Sequence, residues 1–183
     1  MAQPGETRGW KLGEIALENE VLHLRSGVLG IATQVNDRSL CFEHLDHLPP
    51  EASCSCGFFA ATRPEPLIVH VRAPYSELWE VELGGKVLLG RDTFRGETQR
   101  VVRVHLSPVC YNCARPAAFV CTDPARDSSS KTPKLSDALI ASCATCVTPR
   151  SWRPNDLERA LDVEIVWAHP QLTIVLLGLT SFH

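Results

Sequence analysis

No stretch of this sequence approaches the ~18–20 consecutive apolar residues that a membrane-spanning helix needs; the apolar stretch at 172–179 is only eight residues long. Residues 1–10 are polar and offer no apolar core for a secretory leader, so the reading is a soluble cytoplasmic protein with no membrane partner. Lysine is scarce, four against fourteen arginines, and methionine occurs once. Such a bias points to a GC-rich coding sequence rather than to phosphate recognition. The formal net charge is only −3 and the isoelectric point is near 6.2, which excludes a global electrostatic drive toward nucleic acid or anionic lipid.

Enzyme signatures are missing as well. There is no glycine-rich phosphate loop, no nucleophile elbow and no His-Glu-x-x-His. The nearest approach is Pro108-Val109-Cys110-Tyr111-Asn112-Cys113, set beside the deaminase pattern of Pro-Cys-x-x-Cys with an upstream His-x-Glu. Here the proline stands one place early, and the closest upstream match, His44-Leu45-Asp46, has aspartate for glutamate. No catalytic residue is assigned.

What the sequence does contain is cysteine, eight in 183 residues. Four fall in two Cys-x-x-Cys turns, Cys110/Cys113 and Cys143/Cys146, separated by the 29 residues 114–142. Each such turn aims two sulfurs at one point, and two turns supply the four-thiolate tetrahedral shell that structural zinc favours. Redox pairs usually open a helix after a strand, and the residues ahead of these pairs do not look like that. Disulfides would need an oxidising compartment. Zinc is therefore the expected cofactor, and folding of the site should depend on it.

A second set lies upstream: Cys41, His47, Cys54 and Cys56. Side chains at i and i+2 of extended backbone point the same way, so Cys54 and Cys56 can share an ion. The competing reading is that they are small core residues. Around them the sequence carries Trp10, Cys41, His47-Leu48-Pro49, Cys54-Ser55-Cys56-Gly57-Phe58-Phe59-Ala60 and Gly85-Lys86-Val87. In these motifs residues 10–106 resemble a family of small, largely uncharacterised actinobacterial-type proteins. The chain departs from that pattern at Gln99-Arg100-Val101, where the family often has aromatic-Arg-Ala. The resemblance favours His47 over His44 as the fourth ligand and implies no activity.

Periodicity predicts an α+β, mostly β protein: antiparallel strands, a zinc-ribbon-like module and one short C-terminal helix. A hairpin is expected over 10–24 with its turn at 18–20, then strands at 28–35, 67–71, 77–83, 86–89 and 100–106. Asn36-Asp37 reads as a break, and 91–97 as a turn. Strands at 117–121 and 139–142 flank a mobile loop at 122–136, with Cys121 packed inside the ribbon. Asn155 and Glu158 suggest a helix start with a capping box, followed by strands at 163–168 and 172–179. The division is a β-rich Cys/His domain at 1–106 and the ribbon-like module with helix and strands at 107–183.

Residues 86–103 hold five basic side chains (Lys86, Arg91, Arg95, Arg100, Arg103) against Asp92 and Glu97. That is a solvated hairpin face or a phosphate-contacting ribbon. Arg150-Ser151-Trp152-Arg153 could stack on bases, or its tryptophan could pack on the zinc module. The first 60 residues are acidic, eight carboxylates against four basic residues, which suits a basic protein surface. The sequence thus points to a zinc-stabilised interaction module, an accessory or regulatory protein with a protein partner. A nucleic-acid-binding zinc-ribbon protein is the alternative, as is an enzyme using Cys41/His47/Cys54/Cys56 as a zinc or thiol site.

Overall fold

The computed structural model describes residues 7–26, 32–41, 43, 46–71, 76–123 and 137–176. His44, most of the expected loop at 122–136 and the last part of the expected strand at 172–179 lie outside them.

The fold is α+β and mostly antiparallel β. The strands are β1 (Thr7–Glu18), β2 (Val21–Ser26), β3 (Ala32–Thr33), β4 (Asn36–Arg38), β5 (Phe58–Ala61), β6 (Glu77–Leu89), β7 (Thr93–Leu106), β8 (Phe119–Thr122), β9 (Asp137–Ser142), β10 (Ser151–Trp152) and β11 (Glu164–Trp167). The β1–β2 hairpin turns on Asn19 and Glu20, both at positive φ, 48° and 66°. That conformation matches the right-handed twist of a two-residue hairpin. β6 runs between β1 and β7. β5 pairs along the other edge of β7 and meets β1 at Trp10–Ala61, so β1, β6, β7 and β5 close a circuit of pairings.

Successive side chains on a strand alternate faces, and the register puts Trp79, Val81, Leu83, Val101 and Val104 on the inner face, each at most 2% exposed. The Trp79 indole lies against Gly13, where an added Cβ would fall 2.0 Å from the ring. Lys11 and Gln99 share this inner face by register.

β8, β9 and β10 form a small antiparallel sheet, and β9 joins it to β1 through Ala16–Ala138 and Leu17–Asp137. α1 (Pro154–Leu161) then leads to β11, which pairs in parallel with β7. One apolar cluster takes Ile15, Trp79 and Val104 together with Val120, Leu139, Leu157 and Ile165. A smaller one, of Leu12, Leu78 and Ala168, is covered by Leu67, Val71 and Leu172.

Several local expectations are corrected. Residues 67–71 do not form a buried strand; Glu65–His70 is a 3-10 helix with no buried residue. Pro64 and Pro66 preset the helical φ and withhold strand donors. The run from 172 is helical where described, α2 being Pro170–Leu176, with Leu172 N–H bonded to His169 O at 2.8 Å. Pro170 opens that helix, and an apolar run alone cannot separate helix from strand. Asn36–Arg38 is a strand rather than a break, and Thr93–Glu97 belongs to β7 rather than to a turn, because distant partners supply their pairings. α1 is capped two residues earlier than Asn155 and Glu158, by Arg153 and Asp156: Pro154 stands first in the helix, and the Asp156 carboxylate accepts the Arg153 N–H at 3.2 Å.

Candidate metal centres

The first centre sits on a loop braced against β5 and β7. Cys41, His47, Cys54 and Cys56 place one ligand atom each within 4.8 Å of the others, an arrangement that could hold a metal ion. Cys41 Sγ and Cys54 Sγ are 3.7 Å apart, and His47 Nε2 lies 3.2 Å from Cys56 Sγ. The other imidazole nitrogen, Nδ1, faces Asp46 Oδ1 at 3.5 Å. A carboxylate on that side of a ligating imidazole is the usual outer support of a metal site.

The loop is held from outside. Arg95 donates to the carbonyls of Cys54 and of Cys56, the latter at 3.2 Å, while its guanidinium lies 5.6 Å from the Phe59 ring centroid. Gly57, at φ 106°, lets the chain pass Pro50, where a Cβ would come within 2.9 Å. The Cys56 N–H favours a Cys54 thiolate, but burial and the sulfurs of Cys56 and Cys41 outweigh it and raise the Cys54 thiol.

The second centre joins two turns at one end of the β8–β9 pair. Cys110, Cys113, Cys143 and Cys146 again lie within 4.8 Å of one another, with Cys113 Sγ 3.5 Å from Cys143 Sγ. The first turn closes through Cys110 N–H to Arg115 O at 2.8 Å and Ala114 N–H to Cys110 O at 2.9 Å, with Ala114 at φ 56°. Tyr111 N–H to Ala141 O at 3.0 Å ties that turn to β9.

The first sulfur of each turn is surrounded by backbone donors. The Thr145 N–H, then that of Cys146, hold Cys143 at about 6 against burial. Burial opposes the Cys110 thiolate, but the N–H groups of Cys143, Cys113 and Asn112 win and lower its pKa. The sulfurs of Cys113 and Cys143, with burial, push Cys146 up to about 12. Four sulfurs this close cannot all be ionised without a cation among them. No disulfide occurs among the eight cysteines, and both sulfur separations far exceed the ~2.05 Å of such a bond. Cys121 is fully buried in β8, apart from the two groups.

The basic side chains singled out in the sequence have varied surroundings. Arg91 is exposed in the β6–β7 turn, beside Asp92 at 4.0 Å. Arg95 braces the first centre. Arg100 pairs with the buried Glu82, and Arg103 with Glu80 at 3.1 Å and Glu164 at 2.8 Å. Arg150 pairs with Glu20 across the β1–β2 turn. Trp152 is half-buried against the main apolar cluster, and Arg153 sits 5.7 Å over the Phe119 ring. The brace by Arg95 had no local signal, because it lies 39 residues from Cys56; Asp46, next to His47, was in plain sight.

No helix among the described residues is long and apolar enough to cross a membrane. No family model, no curated protein and no solved structure matches the chain.

Proposed function

We propose that the chain is a zinc-stabilised interaction module, an accessory or regulatory protein in which two structural zinc ions shape a surface for a protein partner. The observation that carries this is the pair of complete four-ligand groups, one of three thiols and an imidazole, the other of four thiols. Zinc bonded to sulfur at ~2.3 Å in a tetrahedron separates its sulfurs by about 3.8 Å, and the sulfur pairs stand at 3.7 and 3.5 Å. Four protein ligands fill the shell and leave no open position for a substrate, which favours structural over catalytic zinc. The second group, between two turns on a three-stranded antiparallel sheet, is zinc-ribbon-like.

Large apolar side chains are exposed beside the first centre: Leu40 at 70%, Leu48 at 73% and Phe59 at 47%. Glu43 and Asp46 are exposed on the same loop, so the partner that fits is apolar and basic. The arginines that a polyanion would need are largely engaged with carboxylates, which disfavours the nucleic-acid reading.

Elemental analysis of protein purified without chelator should find two zinc ions per chain; none would overturn the proposal. For the partner, a stoichiometric complex from the source cell should be lost in Leu40→Asp with Leu48→Asp while zinc content and Tm hold. A complex that survives those changes, or that nuclease destroys, counts against a protein contact at this surface.

A further inference from the structure

The chain between β4 and β5 leaves one strand edge and returns to it. Arg38 at its start pairs with Thr98, and Phe58 at its end pairs with Gly96, two places away on β7. All four ligands of the first centre, Cys41, His47, Cys54 and Cys56, fall inside this loop. A loop whose ends are pinned side by side can open while the sheet beneath it stays paired.

Little besides the ligand group holds the loop in place. Among the described residues of 40–56 there is no strand or helix, and the one backbone–backbone hydrogen bond is Cys54 N–H to Glu51 O at 3.2 Å. None of those residues belongs to either apolar cluster. Their buried side chains are Cys41 and Cys54, with Pro49 and Pro50. From outside come the Arg95 bonds to two carbonyls and the Lys86–Glu51 pair at 3.1 Å. An exposed ion pair of that kind contributes little. Ordering this much backbone costs conformational entropy that so few contacts do not match. An ion shared by three thiolates and an imidazole does match it, because its binding free energy is folding free energy.

The second centre is built differently. Its turns sit at the end of β8 and β9, which pair from Phe119–Ser142 to Thr122–Leu139. Val120 and Leu139 place that sheet in the main apolar cluster. Its ligands therefore stand on paired and buried strands, whereas those of the first centre stand on the loop that they themselves hold together.

We infer that the first centre is an occupancy switch: zinc folds the loop between β4 and β5, and its withdrawal unfolds that loop while the strand circuit stays intact. The inference rests on the zinc reading above and adds regulation to it. Leu40 and Leu48 adjoin Cys41 and His47 in the chain, so their placement follows the loop. The surface offered to the partner is then present in the loaded form and lost with the ion, which makes partner binding respond to zinc supply.

The test is amide NMR on the full chain, with bound zinc measured on the same samples. In Cys41→Ser with His47→Ala, bound zinc should fall from two ions to one. The Ala52, Cys54 and Cys56 amide resonances should then move to random-coil positions, and those of Trp79, Val81, Val101 and Val104 should keep their dispersion. Wild type titrated with chelator should show the same order, the three loop resonances collapsing while the four strand resonances hold. Loop resonances that stay in place after the ion is lost would overturn the switch, as would strand resonances that collapse together with them. Wild type without bound zinc would overturn the zinc reading as well; two bound ions and a loop indifferent to the first would overturn the switch alone.

Discussion

Glu77 is a carboxyl in the core, 5% exposed, accepting the Ile15 N–H at 2.9 Å. Burial raises its pKa well above the usual value, with Glu14 adding to that and the Ile15 N–H acting against it. The folded chain therefore keeps a proton that the unfolded chain releases. Between the ordinary carboxyl range and the raised folded pKa the unfolded state binds fewer protons, so Glu77 subtracts stability as pH rises through that window. Glu77→Gln retains an acceptor for Ile15 and cannot ionise. Its Tm gain over wild type should be larger at pH 8 than at pH 4.5; equal shifts at both would contradict a protonated Glu77. Arg95 allows a second test at this scale. Its hydrogen bonds to the loop go to the carbonyls of Cys54 and Cys56, and its guanidinium lies over Phe59. Losing such an outer support typically weakens metal binding by roughly 10–100-fold. Competition with a chromophoric chelator should show that loss in Arg95→Met at one of the two ions only.

At the level of elements, the two Cys-x-x-Cys turns are half-sites carried on different strands. The first turn is bonded to β9 through Tyr111, and β8 and β9 hold both in register. Replacing one sulfur in each turn, Cys110→Ser with Cys143→Ser, should remove one ion of two. Hydrogen exchange should then quicken in β8–β10 first, because that sheet loses its clamp. If protection in β8–β10 is unchanged when the ion is gone, the metal does not hold the ribbon.

For the whole molecule, strand pairings cross position 106 at two places, β1 with β9 and β7 with β11. Val120, Leu139, Leu157 and Ile165 share one apolar cluster with Ile15 and Trp79. Fully burying a side chain of this kind is worth about 1.5–3 kcal/mol, comparable in sum to the stability of an ordinary domain. The fragment 1–106 is thus expected to lack a cooperative urea transition, even with zinc added. A sharp transition of that fragment would establish residues 1–106 as a unit that folds alone.

Sequence by itself determined the chemistry that depends on near neighbours. Cys-x-x-Cys and Cys-x-Cys bring sulfurs together within one turn or one strand repeat, so both four-residue groups were legible as candidates before any fold was known. The β1–β2 hairpin, the β7 alternation and the mostly antiparallel class were legible for the same reason. Prolines at 64, 66 and 170 also carried a local message, that helix starts were available where apolar runs suggested strands. Only tertiary structure decided what each half-site faces, which strand edges close the circuit, and how each arginine is used. Arg95, Arg100 and Arg103 look alike along one strand. One braces the loop of Cys54 and Cys56, and the other two neutralise carboxylates on β6 and β11. Partners tens of residues away are brought into reach by strand pairing and burial, and no local spacing rule encodes that contact.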